Sequence, residues 1–522
     1  MPFLDKRYDC FQRDNVMTVS ADQSRLDELQ QTQVEPRPQS PAAALPEKGF
    51  RQPGRSLFFL LLLAFLTVAA FALRVRGTHN DLWLDELISL RIAQRVKMPW
   101  QIFTVVHNDN NHYLNTLYLS LLREDENAPA LRFFSVLCGV SLVGAGYWLL
   151  ANRSRLEALI LSTLLAFSYP LIHFSSEARG YAGALLGAVL ACAALERWLT
   201  GKKPSFFLGL VYGVASVFAI LSHLTSCLVL LPLSVASLVI VINRPQRVRW
   251  IVFWITLHLL PGCVFAALYF FDLRFVIPLG ADPMSIAHGL SRLLALGIGW
   301  PGEGAITIWI PMLPLIGLVV WQLAVEHKSG STLPTLIAPI YLVPLVAVVL
   351  VRPQFFSPRY LLVILPFIYV YIAILLARLT GSPIGRLALA TLLSLFLAGQ
   401  AFRYRTFLQL GRGQFRAALE YISDNTTGSE ISLSSNQDFR SAVELRYYAP
   451  RVLKDRHLLF YVSADDRRFV KSEWYLIHEE GSDSPGPAFL AQSDRPLWRR
   501  VAYFGASELS GQAWTLYRRL PN

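Results

Sequence analysis

The amino-acid sequence predicts a polytopic α-helical membrane protein that carries a small external α/β domain at its C-terminal end. Only 16% of its 522 residues are charged, whereas about a quarter are charged in an ordinary soluble domain. The mean hydropathy is +0.40, and apolar runs of about 20 residues, enough to cross roughly 30 Å of hydrocarbon, recur along most of the chain. Residues 403–522 differ, because they contain more charged residues and lack such runs. These observations exclude a soluble enzyme, a collagen-like chain and a disulfide scaffold.

The charge and the cysteines exclude further classes. A net charge of +12 is explained by Lys and Arg retained in cytoplasmic loops, so nucleic acid is not an expected partner. Four of the 5 cysteines lie in apolar runs, and Cys10 lies in the polar N-terminal segment. Their spacing matches no metal-ligand motif and implies no disulfide framework.

The N-terminal segment, residues 1–55, is rich in Gln, Pro and Ser and has no periodic apolar pattern. Such a composition predicts a disordered tail, which we place in the cytoplasm. The first apolar run, Leu57–Leu73, begins too late for a cleaved signal peptide. We therefore expect an uncleaved first span.

The apolar runs predict about eleven spans in a transmembrane domain over residues 56–402. They lie at 57–73, 132–150, 156–174, 180–199, 205–222, 225–242, 250–271, 304–325, 333–351, 360–378 and 385–402. With a cytoplasmic N-terminus, every short cytoplasmic loop is basic, as the positive-inside rule requires. The odd number of spans puts residues 403–522 on the external side, together with the loops 74–131, 174–180 and 272–303. Within the last of these loops, Ile286–Ile298 has the pattern of an interfacial or re-entrant helix.

The external C-terminal domain is predicted to mix helices and strands. Helical patterns cover 414–423 and 439–448, and strand patterns cover 430–434, 458–462, 474–477, 500–504 and 514–517. We interpret this region as a small α/β domain.

The first external loop opens with two adjacent acids, Asp85 and Glu86. Such a pair can supply a general base, a metal ligand or both. The alternative is structural, because acids in the first turn favour the positive end of a helix, here Leu87–Val96. Farther along the loop, Arg91 and Arg95 share a helix face, where they could grip a phosphate or extend toward lipid headgroups.

The same loop continues with a polar stretch, His107–Asn115, that contains Asp109 and His112. One interpretation is a solvated turn with local hydrogen bonds from the Asn and Asp side chains. The other is a polar floor for a sugar or a metal, although the spacing matches no recognised ligand motif.

Two further external segments carry charge beside apolar runs. Glu177 and Tyr181 are four residues apart and share a helix face, with Arg179 between them. Charges inside a helical bundle tend to mark function, whereas charges in an ordinary exposed loop do not. Arg359-Tyr360 places an arginine on the external side, against the positive-inside trend, either to bind a lipid phosphate or to reach the interface.

Taken together, the order of these motifs resembles the GT-C superfamily of polyprenyl-phosphate-sugar-dependent glycosyltransferases. The resemblance covers residues 57–405 and is greatest to the bacterial protein O-mannosyltransferase-like and lipid A aminoarabinose transferase-like branch. In that branch the first acid of the loop-one pair is the catalytic base, which maps onto Asp85, with Glu86 beside it. The branch often has an acid followed by His-Pro-Pro-Leu later in this loop. The corresponding stretch here, Asp109-Asn110-Asn111-His112-Tyr113-Leu114, lacks both prolines.

The resemblance also implies donor and substrate contacts. Arg179, Arg359 and Arg91 would bind the donor phosphate, and the substrate would contact Asp109, His112, Glu177, Tyr181 and Tyr360. A divalent cation stays open as a cofactor, with Asp85, Glu86 and Asp109 as the candidate ligands. The implied partners are a polyprenyl-phosphate-linked sugar, membrane lipids and a lipid, glycan or protein acceptor.

The resemblance implies an inverting transfer of the sugar to an acceptor hydroxyl. We expect the protein in a bacterial inner membrane with a periplasmic active face. The rival interpretation is a transporter or flippase of lipid-linked sugars, because many spans and external arginines fit that class too. Transporters often show paired repeats and broken helices at the bilayer midplane, and the sequence shows no repeat.

Overall fold

The protein is described from a computed structural model. The description covers residues 53–122, 127–276, 286–300, 331–351, 357–462, 472–479, 487–492 and 495–520, with a few positions between 313 and 325. Of the tail predicted for residues 1–55, residues 1–52 lie outside these ranges. The span predicted at 304–325 lies almost wholly outside them.

The described helices follow the predicted apolar runs in most places. They are α1 (Pro53–Gly77), α2 (Leu84–Gln94), α3 (Gln101–Thr104), α4 (Tyr113–Ser120), α5 (Ala128–Ala151), α6 (Arg155–Phe167), α7 (Tyr169–Ser175), α8 (Tyr181–Thr200), α9 (Phe206–Ser222), α10 (Cys227–Ile242), α11 (Arg247–Phe271), α12 (Ile286–Ile298), α13 (Thr332–Val351), α14 (Leu365–Arg378), α15 (Pro383–Leu410), α16 (Phe415–Asp424) and α17 (Asp438–Val452). A 3₁₀ helix, Pro358–Ile364, leads directly into α14.

Seven of the described helices are long and apolar enough to cross a membrane, and an eighth crossing results if α6 and α7 count as one. Three shorter apolar helices lie at Phe206–Ser222, Gly289–Ile298 and Thr332–Val343. Eleven crossings therefore stay a prediction, because one predicted span lies outside the described ranges and others are short.

The third predicted span, 156–174, is a broken helix. Its halves α6 and α7 meet at an angle of 59°. Pro170 lies in the first turn of α7, where its missing backbone N–H costs nothing. In a continuous helix through this position, the proline would remove a hydrogen bond. The backbone N–H of Tyr169 instead donates to Oε1 of Gln400 at 2.5 Å. The break directs α7 and the loop after it into the helix bundle.

The C-terminal region contains one mixed sheet. Its strands are β1 (Glu430–Ser435), β2 (His457–Tyr461), β3 (Trp474–Glu479), β4 (Phe489–Gln492), β5 (Arg495–Phe504) and β6 (Ala513–Arg519). The strand order is β2-β1-β3-β6-β5-β4. Strand β1 is parallel to β2 and β3, and the other pairs are antiparallel. Five strands coincide with predicted ones, whereas the short strand β4 was not predicted.

The sheet and the helical region share a hydrophobic core. Leu87 and Leu90 of α2 belong to the same buried cluster as Phe415 of α16 and Leu433 of β1. The Tyr448 hydroxyl of α17 donates to the carbonyl of Leu82 at 2.8 Å. Residues 56–522 accordingly form one compact unit, in which α2 is held by contacts to both regions.

Candidate functional site

The centre of the candidate site is the carboxylate of Asp85 in the first turn of α2. Its Oδ2 accepts a hydrogen bond from Nη1 of Arg179 at 2.6 Å and another from Nη1 of Arg359 at 2.8 Å. The three side chains come from the first turn of α2, the loop between α7 and α8, and the 3₁₀ helix before α14. All three are largely buried, with 16%, 5% and 18% of their side chains exposed, respectively. Folding thus brings three predicted site residues together.

The charge balance keeps Asp85 ionised. Burial acts to raise the pKa of the Asp85 carboxyl, but Arg179 and Arg359 outweigh it, and the pKa is lowered from its ordinary value. The Asp85 carboxylate shares its Oδ2 between two guanidinium groups. An arginine has five N–H donors, so both groups can bind a second anion besides Asp85.

Arg179 is fixed by two further side chains. Its Nη2 donates to Oδ1 of Asn110 at 2.6 Å, and its Nε donates to Nε2 of His112 at 3.2 Å. Burial, His223 and the arginines lower the pKa of His112 well below its ordinary value, so its Nε2 is available as an acceptor. The polar stretch of the first loop therefore contributes Asn110 and His112 directly to the site.

Aromatic rings form one wall of the site. The guanidinium groups of Arg179 and Arg359 lie 5.8 and 5.6 Å from the ring centroid of Trp83. The His223 ring stacks between His112, at 4.5 Å, and Tyr181, at 4.3 Å. His223 was not predicted as a site residue, although a single histidine between two apolar helices, α9 and α10, was the available signal.

Glu177 contacts two of the residues that surround Asp85. Its Oε1 accepts a hydrogen bond from Nε1 of Trp83 at 2.7 Å and lies 3.9 Å from Nη1 of Arg179. The side chain is fully buried, and burial raises its pKa despite the opposing effects of Arg412 and Arg179. Glu177 therefore contacts the ring and the cation that flank Asp85.

The second acid of the pair, Glu86, lies in different surroundings. Its carboxylate forms a fully buried ion pair with Arg132, with hydrogen bonds of 2.6 and 2.7 Å. It also accepts from the backbone N–H groups of Ala178 and Trp83. The same guanidinium donates to the carbonyls of residues 78, 80 and 81. Glu86 and Arg132 thus join the entry to α2, helix α5 and the loop before α8.

Three further predicted site residues are Arg91, Asp109 and Tyr360. Arg91 is one of several arginines near the contact of α2 with α17, and burial, Arg446 and Arg95 lower its pKa. The Asp109 side chain is exposed, in the turn that precedes the buried Asn110. Tyr360 lies beside Arg359, whose guanidinium is 5.9 Å from its ring centroid.

The described residues contain no group of three or more His, Cys, Asp or Glu side chains that could hold a metal ion. The candidate ligands Asp85, Glu86 and Asp109 are all described. They do not form such a group, and Asp85 and Glu86 face different partners.

A second polar cluster anchors the polar stretch. Asp272, buried at the end of α11, accepts a hydrogen bond from the Tyr113 hydroxyl at 2.7 Å, and its other oxygen lies 2.7 Å from Nδ1 of His107. These contacts hold both ends of the segment that carries Asn110 and His112. Asp272 was not predicted from the sequence, because it follows an apolar run and matches no motif.

Comparison with known proteins places the fold. No protein-family model and no curated protein matches the sequence. ArnT from Cupriavidus metallidurans in the apo state has a TM-score of 0.52 at 10% identity, over 89% of this chain and 98% of ArnT. ArnT bound to undecaprenyl phosphate gives a TM-score of 0.51 with the same identity and coverage. The apo oligosaccharyltransferase from Archaeoglobus fulgidus gives 0.47 at 10% identity, over 81% of this chain and 70% of that one.

The similarity to ArnT shows the fold. This chain is a polytopic helical membrane protein, as its apolar runs predicted. Its fold is similar to that of ArnT over nearly the whole length of ArnT.

Proposed function

We propose that the protein is an integral membrane glycosyltransferase that moves a sugar from a polyprenyl-phosphate carrier to an acceptor hydroxyl. The observation that carries this proposal is the buried Asp85 carboxylate held between Arg179 and Arg359. A base and two phosphate-binding cations are the groups such a transfer needs. The ArnT structure with bound undecaprenyl phosphate supports the choice of carrier, because it has the same fold.

In the proposed reaction, Asp85 takes the proton of the acceptor hydroxyl as that oxygen bonds to the anomeric carbon. The bond from the anomeric carbon to the phosphate oxygen breaks, and polyprenyl phosphate leaves with the bonding electrons. Arg179 and Arg359 stabilise the charge that develops on this leaving group. Attack from the face opposite the phosphate inverts the anomeric carbon.

Donor binding activates the base in this scheme. Both arginines share Oδ2 of Asp85, and an incoming phosphate competes with that carboxylate for them. Nε of Arg359 and the Tyr181 hydroxyl are buried and have no hydrogen-bond partner among the described residues, so they are available to the phosphate. As the guanidinium groups turn toward it, their lowering effect on the pKa of Asp85 weakens. The carboxylate then becomes a stronger base.

The remaining site residues take supporting roles in the proposal. Asn110 and His112 orient Arg179, and Tyr181 and Tyr360 line the donor site. Glu86 stabilises the loop through Arg132 and takes no part in the proton transfer. The arginines that act on Arg91 are Arg446 of α17 and Arg95, not Arg179 or Arg359, so we assign Arg91 no role in donor binding.

The proposed active face is external, in a bacterial inner membrane with a cytoplasmic N-terminus. This placement rests on the basic loops of the opposite side. The acceptor is a lipid, a glycan or a protein.

Arg359→Ala tests donor binding. We expect the KM for the lipid-linked donor to rise at least about tenfold, because a hydrogen bond to a charged group contributes about 1.5–3 kcal/mol. Steady-state transfer by purified protein from undecaprenyl-phosphate-linked sugars measures this effect. Arg386→Ala, at an exposed arginine of α15, is the matched control. An unchanged donor KM in Arg359→Ala would mean that this arginine does not bind the phosphate.

A further inference from the structure

The C-terminal region reaches the site through one arginine. Arg412 follows the end of α15 and is completely buried. Its Nη2 donates to the carbonyl of His173 at 2.6 Å, and its Nη1 donates to Oδ1 of Asn80 at 3.0 Å. Its Nε lies 4.0 Å from Oε2 of Glu177. The Arg412 side chain thus lies beside Glu177, the residue that contacts Trp83 and Arg179.

One side-chain atom of Arg412 and one of Glu177 are left without a hydrogen bond to the described residues, and these two atoms form a pair. Nε of Arg412 and Oε2 of Glu177 are both buried without a hydrogen-bond partner among the described residues. They face each other across the 4.0 Å gap. A buried carboxylate is costly unless a cation compensates it. Arg412 is placed to do this for Glu177, which leaves Oε1 for Trp83 and Arg179.

The backbone of Arg412 is fixed by the loop between β5 and β6. The N–H of Gln512 donates to the carbonyl of Arg412 at 3.0 Å, and the N–H of Ser507 donates to the carbonyl of Gly411 at 2.9 Å. Gly511 has a φ of +112°, and a Cβ there would lie 1.9 Å from the carbonyl oxygen of Arg412. Only glycine permits this approach. The loop and Arg412 therefore form one rigid connection.

We propose that Arg412 is a positioning residue of the transferase site, acting through Glu177 on Trp83 and Arg179. The C-terminal sheet is then part of the catalytic scaffold, because its β5–β6 loop holds Arg412 in place. This inference rests on the proposed function for its kinetic readout. It assigns the C-terminal region a role in positioning.

The test is a double-mutant cycle with Arg412→Met, Glu177→Gln and the double variant. Residues that act together show strongly non-additive effects, whereas independent ones add. We expect Arg412→Met to lower kcat at least about tenfold in the wild-type background and less than about threefold in the Glu177→Gln background. Arg405→Met, at an exposed arginine of α15, is the matched control. Equal losses in both backgrounds would show a separate structural role and overturn the inference.

A pH profile separates positioning from simple packing. Burial raises the pKa of Glu177, as do the nearby carboxylates of Glu86 and Asp85, whereas Arg412 and Arg179 oppose that rise. Removing Arg412 raises the pKa of Glu177 further, so Glu177 becomes protonated at a higher pH. The acid limb, the loss of activity as the pH falls, therefore moves to higher pH. The shift is expected in Arg412→Met and absent in the double variant. An acid limb that does not move in Arg412→Met contradicts the inference.

Two further measurements cover failure of folding or of transfer. Arg412→Lys retains the charge and is expected to keep the wild-type acid limb and most of kcat. A tenfold loss of kcat with an unchanged acid limb would show that the hydrogen bonds to His173 and Asn80 matter instead.

Infrared titration follows the protonation of Glu177 directly and needs no sugar donor. The carboxylic-acid band that Glu177→Gln removes is expected to persist to higher pH in Arg412→Met. If the band persists to higher pH in Arg412→Met while the wild-type protein transfers no sugar, the pairing of Arg412 with Glu177 stands and the proposed transferase function fails.

Discussion

Asp85→Asn is expected to lower kcat for sugar transfer by about 10²–10⁴, the usual contribution of a general base. Asparagine has nearly the same shape and still offers Arg179 and Arg359 one oxygen. It cannot take the acceptor proton, however, and it removes the carboxylate that competes with the donor phosphate. The donor KM should therefore stay the same or fall while kcat falls. Transfer by purified protein at several donor concentrations measures both constants.

The control for this variant is Asp455→Asn, which changes an exposed acid of the C-terminal region. It should leave both constants within about twofold, as a surface change normally does. Equal amounts of folded protein in the membrane must accompany the loss in Asp85→Asn. A kcat close to that of the wild type would remove Asp85 as the base.

Arg132→Met is expected to destabilise the folded protein by about 3–5 kcal/mol, because it leaves the buried carboxylate of Glu86 without its cation. The change also leaves the carbonyls of residues 78, 80 and 81 without their donor. Thermal unfolding in detergent should therefore show a strongly lowered Tm. Arg386→Met, an exposed arginine, is the control and should leave Tm unchanged.

The double variant Glu86→Leu/Arg132→Leu sharpens this prediction. Replacing both charges with apolar side chains removes the unpaired ion, and such replacements are often neutral or stabilising. We expect a Tm much closer to the wild type than that of Arg132→Met. A double variant as unstable as the single one would show that the carbonyl contacts of Arg132, rather than its charge, stabilise this loop.

The sequence pointed to individual charged residues but not to how they pair. Asp85, Arg179 and Arg359 were each recognisable as charges beside apolar runs, but their meeting at one carboxylate oxygen depends on tertiary packing. Asp85 and Glu86 are neighbours in sequence, yet successive residues of a helix point about 100° apart. That rotation directs one acid into the site and the other into the ion pair with Arg132.

Residues without a motif could not be predicted. Arg132 lies at the start of a predicted span, where an arginine usually reaches toward the headgroups. Arg412 follows a long helix and has no partner nearby in sequence. Both become informative only when the structure shows them buried against distant carboxylates. The break between α6 and α7 was hidden for a different reason, because Pro170 stands inside an otherwise continuous apolar run.

The most direct test of the proposed transferase uses purified wild-type protein in proteoliposomes that contain radiolabelled, undecaprenyl-phosphate-linked sugars and a membrane-extract acceptor. We expect label to pass covalently to the acceptor with the wild-type protein and not with Asp85→Asn protein. Lipid-linked sugar that crosses the bilayer equally well with both proteins, without label on any acceptor, would indicate a transporter instead of a transferase.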